Sequence, residues 1–208
     1  LLVIACNTAS AAVLHDARER YTLGRGVPVI EVIHPAARTA ARVTRNGKVG
    51  LIATSASVRS GAYERTLAAM DSTITVYAGA CPLFVPLVEN GRYERGDVVI
   101  ETVAREYLEP IRGSGIDTLI LGCTHYPLLM DLIGEIMGPE VTLIDTGEEA
   151  AWELKRTLKA KDLLADRAQE GTTTLYASDQ PEDFGSMAKH FLQEELTSPV
   201  LQVNIDRY

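Results

Sequence analysis

Two segments of this 208-residue chain share a pattern that suits thiol acid–base chemistry. Residues Leu1–Thr8 read LLVIACNT, and residues Thr118–His125 read TLILGCTH. In each segment a continuous apolar run ends in a cysteine, and a threonine follows within two residues. A tuned thiol can take or give a proton near neutral pH. The pair Cys6 and Cys123 therefore indicates two thiol bases that face one substrate.

Strands and helices must position these two cysteines. A short continuous apolar run is typical of a strand that is buried on both faces of a parallel sheet. Helical patterns follow both runs, over Ala9–Tyr21 and Leu128–Met137. Each cysteine is thus predicted at the carboxyl end of a strand and the start of a helix. Open α/β sheets bind their ligands at that edge, and a helix N-terminus lowers the pKa of a thiol.

Strands alternate with helices along the whole chain, which predicts an α/β fold with mostly parallel sheets. The predicted strands are Leu1–Ala5, Val27–Ile33, Val49–Ala53, Thr73–Ala78, Thr118–Leu121, Val141–Ile144, Thr173–Ala177 and Val200–Ile205. The other predicted helices are Ala36–Thr44, Gly61–Met70, Val98–Arg112, Glu148–Lys159 and Pro181–Leu192. Gly79–Glu94, which contains Pro82, Pro86 and Gly91, is predicted as an irregular loop. The repeated cysteine motif predicts two similar lobes.

Composition excludes several classes of function. The net charge is −8 and the basic residues form no long run, so neither nucleic acid nor an anionic membrane is expected as a partner. No apolar stretch approaches the roughly 20 residues that span a bilayer. An odd number of cysteines, three, indicates a reducing cytoplasm. Histidines and cysteines do not cluster at metal-ligand spacing, and no glycine-rich phosphate motif occurs, so neither a metal nor a cofactor is expected.

Polar residues that follow the predicted strands are candidates for substrate binding. They are Asn7, Thr8, Thr54, Ser57 and Thr124. Such side chains commonly cap helices, and they can equally donate hydrogen bonds to a bound carboxylate. The sequence leaves both interpretations open.

Three further residues have alternative interpretations. His125 lies two residues after Cys123, where it can shuttle the proton of the thiol or simply lie on the surface at a helix start. Glu89 is either a carboxylate of the site or a surface glutamate. Cys81 has no adjacent polar residue, so a structural role is expected for it.

The two cysteine motifs together carry a family resemblance. The residues CNTAS at 6–10 and LGCTHYPLL at 121–129 resemble those of glutamate racemases of bacterial peptidoglycan synthesis. Segments 53–64 and 80–89 support the resemblance, which covers essentially the whole chain in the expected order.

The resemblance implies a cofactor-independent racemase with two pseudo-symmetric α/β lobes and the active site between them. We assign residues 1–34 and 142–208 to the first lobe, and residues 35–141 to the second. Cys6 would take the proton from D-glutamate, and Cys123 would take it from L-glutamate. The resemblance also implies a cytoplasmic enzyme of cell-wall biogenesis that maintains cell shape, and homodimers are common in this family.

The remaining site residues take their roles from the same resemblance. Asn7, Thr8, Thr54 and Thr124 would bind the polar groups of glutamate, and His125 would assist Cys123 and contact the substrate. Ser57 stands where the family more often has threonine, and this difference keeps the hydroxyl group. Glu89 matches an acidic residue of the family near the site.

The chain opens on Leu1 inside a predicted strand, and we expect that an N-terminal segment is missing. The family resemblance implies a preceding strand with an Asp-Ser motif, whose aspartate partners the first cysteine, and a Tyr-Gly pair. Without them, we expect these 208 residues alone to be poorly folded or inactive, and the intact protein to be a racemase.

Three alternatives remain. A racemase of aspartate or another amino acid usually carries an acidic residue after the second Cys-Thr, where this chain has His125. A non-catalytic ligand-binding relative would not need two tuned thiols. A thiol hydrolase would use one cysteine with a dedicated histidine and an oxyanion hole, which leaves the second cysteine motif unexplained.

Overall fold

The computed structural model describes residues 1–165, 171–192, 196 and 198–205, without the side chains of Ser186 and His190. Every strand pairing in this part of the chain is parallel, so the predicted α/β class is confirmed. The strands are β1 (Leu2–Ile4), β2 (Val29–Glu31), β3 (Lys48–Ala53), β4 (Thr75–Ala80), β5 (Thr118–Gly122), β6 (Thr142–Asp145), β7 (Tyr176–Ala177) and β8 (Leu201–Gln202).

Helices connect these strands. They are α1 (Asn7–Ala17), α2 (Ile33–Val43), α3 (Ser55–Ser60), α4 (Ala62–Met70), α5 (Phe84–Glu89), α6 (Val98–Gly113), α7 (Met130–Met137), α8 (Thr146–Ala160) and α9 (Pro181–Leu192). A π-helical segment, Arg18–Leu23, continues α1, and a 3₁₀ turn, Tyr126–Leu129, leads into α7.

A four-stranded sheet with the order β4-β3-β5-β6 forms the larger core. Strand β5 is buried along its whole length, as its apolar sequence predicts. Its last residue, Gly122, pairs with Ala53 of β3. A Cβ atom at Gly122 would lie 2.9 Å from the carbonyl oxygen of Ile52, so glycine allows the two strands to approach closely just before Cys123.

Helix α2 covers one face of this sheet through small side chains. Ala36, Ala37 and Ala40 are fully buried and belong to the same core cluster as Val49 and Leu51 of β3. Alanine at these positions allows the helix to lie close to the strands, and it combines high helix propensity with apolar burial.

Strands β1 and β2 form a second, two-stranded sheet. Glu31, the last residue of β2, is buried, and its carboxylate accepts hydrogen bonds from the backbone N–H groups of Ile33 (2.6 Å) and His34 (3.0 Å). Burial raises the pKa of Glu31, but hydrogen bonds from His34 and Ile33 outweigh it, so this pKa lies below its ordinary value. The prediction that this strand extends to Ile33 was wrong, because the carboxylate starts α2 at that residue.

The prediction of an irregular loop over Gly79–Glu94 was also wrong. Strand β4 extends to Ala80, and helix α5 follows. Phe84 and Val88 are buried one helical turn apart, and the Phe84 ring packs edge-to-face on Tyr126 with a centroid distance of 5.2 Å. Tertiary packing therefore stabilises a helix whose own sequence contains Pro86.

Contacts divide the chain into two units, residues 1–163 and residues 164–208. The second unit contains helix α9 and the parallel pair β7–β8, in which Tyr176 is opposite Leu201. The division into lobes at residues 34/35 and 141/142 stays a prediction. Among the described residues, no helix combines the length and apolar character that crossing a membrane requires.

Candidate active site

Cys6 lies at the carboxyl end of β1 and is the N-cap residue of α1. Its backbone is extended, its carbonyl accepts the N–H of Ser10 at 2.8 Å, and its side chain is exposed. The Ser10 hydroxyl donates to the carbonyl of Ile4 at 3.1 Å, which ties the first turn of α1 back to β1. The sequence placed Cys6 correctly at a strand end and a helix start.

Cys123 occupies the corresponding place after β5, but it is buried. A short turn and the 3₁₀ segment separate it from α7, and its carbonyl accepts the N–H of Tyr126 at 3.1 Å. The Cys123 Sγ atom lies 3.8 Å from Nδ1 of His125.

His125 joins Cys123 to Glu89. Its Nε2 atom lies 3.1 Å from Oε1 of Glu89, and its Nδ1 atom lies 3.3 Å from the Thr124 hydroxyl. If the Glu89 carboxylate accepts Nε2–H, the neutral imidazole has an unprotonated Nδ1 that faces the thiol. Helix α5, which the sequence did not predict, brings Glu89 to this position.

The pKa of Cys123 differs from the expectation that a helix start lowers it. Burial raises this pKa, and negative charge on Cys6 or Glu89 raises it further. Hydrogen bonds from the backbone N–H of His125 and from the Thr124 hydroxyl act in the opposite direction without cancelling the effect of burial. The expectation was wrong for Cys123, because the segment that follows it is a turn rather than a helix start and because burial outweighs the hydrogen bonds to its sulfur.

Three hydroxyl groups form a compact cluster beside α1. Thr8 Oγ1 lies 3.0 Å from Thr54 Oγ1 and 3.1 Å from Ser57 Oγ, and the Thr54 hydroxyl donates to Ser57 Oγ at 3.1 Å. Thr54 also caps α3, since its Oγ1 accepts the N–H of Ser57 at 3.2 Å. Both interpretations of Thr54 are therefore compatible with the structure: it is a helix cap, and it belongs to a hydroxyl cluster.

The Asn7 side chain is 2% exposed and binds two residues that the sequence analysis did not select. Its Nδ2 donates to Oγ1 of Thr146 at 3.2 Å, and its Oδ1 accepts a hydrogen bond from the hydroxyl of Tyr63. Thr146 directly follows β6, at the edge of the larger sheet where Cys123 follows β5. Its place after a strand could have indicated it as a candidate from the sequence. Tyr63 lies inside α4, and its local sequence gave no such signal.

The amino-acid sequence matches the model of a known protein family. A family model described as Asp/Glu/Hydantoin racemase matches residues 1–154, well over half of the chain. The chain belongs to the Asp/Glu/Hydantoin racemase family.

Individual members of this family resemble the chain closely. A glutamate racemase of Beutenbergia cavernae is 48% identical over 204 residues, which cover 94% of this chain and 68% of the relative. The crystal structure of a glutamate racemase isoform from Bacillus anthracis gives a TM-score of 0.89 at 36% identity, and it covers 99% of this chain and 74% of that one. The glutamate racemase of Francisella tularensis subsp. tularensis SCHU S4, in complex with D-glutamate, gives a TM-score of 0.87 at 34% identity and the same coverage.

These comparisons agree with the predicted two-lobe α/β arrangement with parallel sheets. In this member of the racemase family, polar side chains converge at the carboxyl ends of β1, β3, β5 and β6. Burial raises the pKa of Cys123, and negative charge on Cys6 is a smaller cause in the same direction. Two thiols, an imidazole–carboxylate pair and several hydroxyl groups can remove, hold and return a proton and can bind carboxylates.

Proposed function

We propose that this chain interconverts L-glutamate and D-glutamate with two thiols as acid and base, and that it supplies D-glutamate for peptidoglycan. The observation that carries this proposal is the pair of cysteines, each at the carboxyl end of a parallel strand and each followed by polar residues, Asn7 and Thr8 after Cys6 and Thr124 and His125 after Cys123. The relatives named above are glutamate racemases, and one of them was solved with D-glutamate.

Two thiols can invert Cα without moving either base across the substrate. The Cys6 thiolate takes the Cα proton of D-glutamate, and the Cys123 thiol gives its proton to the opposite face of the carbanion. L-Glutamate then leaves behind a Cys6 thiol and a Cys123 thiolate. The reverse reaction starts from that state. The two thiols therefore exchange their roles as base and acid, and the total number of protons is unchanged.

His125 and Glu89 support the Cys123 side of this reaction. The imidazole Nδ1 can accept the proton of the Cys123 thiol, and the resulting imidazolium stabilises the thiolate by its charge. Glu89 in turn stabilises the imidazolium through Nε2. Because burial raises the pKa of Cys123, this stabilisation offsets part of the cost of forming a buried thiolate during turnover.

Polar groups around the thiols bind the substrate in this proposal. Thr8, Thr54 and Ser57 can turn their hydroxyl protons toward a carboxylate, and Thr124 can do so beside Cys123. Asn7 retains one amide N–H that its bond to Thr146 does not use. Aimed hydrogen-bond donors and the exclusion of water stabilise the negative charge of the carbanion, so no cofactor is needed as an electron sink. We also propose, from the family resemblance, that the protein forms a homodimer.

Hydrogen exchange at Cα tests the proposal. L-Glutamate, D-glutamate and L-aspartate are offered separately in D₂O, and the Cα proton signal and the optical rotation are followed. The assay uses this chain and a version extended by the N-terminal strand that the family resemblance implies. We expect the extended version to exchange and invert glutamate only, and the 208 residues alone to be inactive; equal activity of the two proteins would contradict that second expectation. Exchange of aspartate instead would favour the aspartate racemase alternative, and no exchange by either protein would favour a binding protein.

A further inference from the structure

A chain of hydrogen bonds links the two cysteine motifs through the interior. The Tyr63 hydroxyl donates to Asn7 Oδ1, Asn7 Nδ2 donates to Thr146 Oγ1 at 3.2 Å, and the Thr146 hydroxyl donates to the carbonyl of Leu121 at 3.2 Å. We call this series the Tyr63–Asn7–Thr146 chain. Asn7 is the residue after Cys6, and Leu121 lies two residues before Cys123.

The hydrogen bonds of the Tyr63–Asn7–Thr146 chain all run in one consistent direction. Tyr63 is 1% exposed, and burial raises its pKa, with further contributions from the charges of Glu31 and Cys123. The hydroxyl therefore stays protonated and donates. Because Oδ1 of Asn7 accepts from Tyr63, its Nδ2 group must face Thr146, so the orientation of the amide is fixed.

Two side chains anchor the first turn of α1, next to Cys6, to different elements. Ser10 ties the first turn of α1 to β1, which is the strand that already carries Cys6. Asn7 instead ties the same turn to Thr146 of α8 and, through Thr146, to β5, the strand that precedes the second thiol. Thr146 is 1% exposed and opens α8, so its position is set by the four-stranded sheet.

We propose that Tyr63 and Thr146 are positioning residues, which hold the Asn7 amide, and through it the backbone at Cys6, in register with the end of β5. This inference rests on the proposed function, since it explains how two thiols on different sheets face one Cα atom. Their hydroxyl groups act through Asn7 and contact no reacting atom. A displacement of a base by about 1 Å can cost about a hundredfold in rate, so such an anchor matters for catalysis.

Conservative variants separate positioning from general stability. Tyr63→Phe and Thr146→Val each remove one hydroxyl group, and Thr146→Ser restores it. Thr44→Val and Thr39→Val are matched controls, because Thr44 donates to Asp117 at 2.8 Å and Thr39 donates to Glu149 at 2.6 Å, outside the Tyr63–Asn7–Thr146 chain. We expect the first two variants to lower kcat for glutamate about tenfold or more, with KM within about threefold. Thr146→Ser should recover most of the kcat.

Nuclear magnetic resonance provides a readout that needs no turnover. In Tyr63→Phe and Thr146→Val, the side-chain amide signals of Asn7 and the backbone amide signal of Cys6 should shift, while both controls leave them in place. Unchanged Cys6 signals, or a rise in KM with unchanged kcat, would overturn the inference even in an active racemase. If the unaltered protein exchanges no glutamate, the proposed function fails. The Cys6 signal then still decides whether the Tyr63–Asn7–Thr146 chain positions the thiol.

Discussion

The surroundings of Cys6 and Cys123 differ although their local sequences are alike. Cys6 is exposed, follows β1 of the two-stranded sheet, and is the N-cap residue of α1. Cys123 is buried, follows an interior strand of the larger sheet, and has His125 at 3.8 Å from its sulfur. A motif of strand, cysteine and threonine thus fixes where a thiol lies, while its neighbours decide how readily that thiol ionises.

Each side also holds its polar groups in a different way. On the Cys6 side, hydroxyl groups of Thr8, Thr54 and Ser57 contact one another at 3.0 to 3.1 Å. On the Cys123 side, charge is available, because Glu89 pairs with His125. We infer that the first side mainly binds a carboxylate, whereas the second mainly controls a proton.

The strongest test of this comparison is removal of either thiol. Cys6→Ser and Cys123→Ser should each lower the rate of glutamate inversion by about 10²- to 10⁴-fold, since general acid–base catalysis typically contributes that much. Polarimetry measures inversion. Each variant should retain slow Cα exchange only with the enantiomer that its remaining cysteine deprotonates.

Cys81→Ala is the matched control for these variants. Burial, with the charge of Cys123 as a smaller cause, raises the pKa of Cys81 to about 12, so this thiol stays protonated at neutral pH. Inversion should persist in Cys81→Ala. Equal loss in all three cysteine variants would contradict the assignment of the two bases.

Substitution of His125 should affect the two directions of the reaction unequally. His125→Asn removes the imidazole beside Cys123, so we expect kcat with L-glutamate to fall about 10- to 100-fold and kcat with D-glutamate to fall less. Glu89→Gln should show the same asymmetry with a smaller loss, because it acts through His125. Steady-state kinetics in both directions measures the difference, and equal losses would speak against a role on one side.

Alkylation by iodoacetamide compares the two thiols directly. At neutral pH, Cys123 should react more slowly than Cys6, because Cys123 is buried and burial raises its pKa. Only the thiolate reacts, so the rate for Cys123 should still increase as the pH passes the ordinary thiol value of about 8.5. Mass spectrometry of the digested protein follows each site. A plateau of the Cys123 rate below that pH would contradict the raised pKa.

Changes in the hydroxyl cluster should have the smallest effects. Thr54→Val removes the cap of α3, which should lower the free energy of unfolding by about 1 kcal/mol. It should also raise KM for glutamate, and kcat should change less, if the cluster binds substrate as we propose. Thr54→Ser keeps the hydroxyl group and is the control. Urea denaturation and initial rates measure the two effects, and an unchanged KM would leave Thr54 as a cap alone.

The sequence by itself determined the parallel α/β class and the places of both cysteines. Periodicity and strand ends are local properties, so Leu1–Ala5 and Thr118–Leu121 were readable as strands. The prediction that both are buried was right for β5 and wrong for β1, where Val3 is 39% exposed because β2 is its only partner strand in the described part of the chain. Polar residues after those strands, such as Thr8 and Thr124, could be selected because the carboxyl ends of parallel strands converge on one sheet edge.

Only the tertiary structure decided which side chains complete the site. Helix α5 forms because Phe84 and Val88 are buried against distant residues, and it brings Glu89 to His125. The orientation of Asn7 depends on Tyr63 and Thr146, which are 56 and 139 positions away in the chain. Burial raises the pKa of Cys123 for the same reason: desolvation and hydrogen bonding depend on neighbours that meet only when the chain folds.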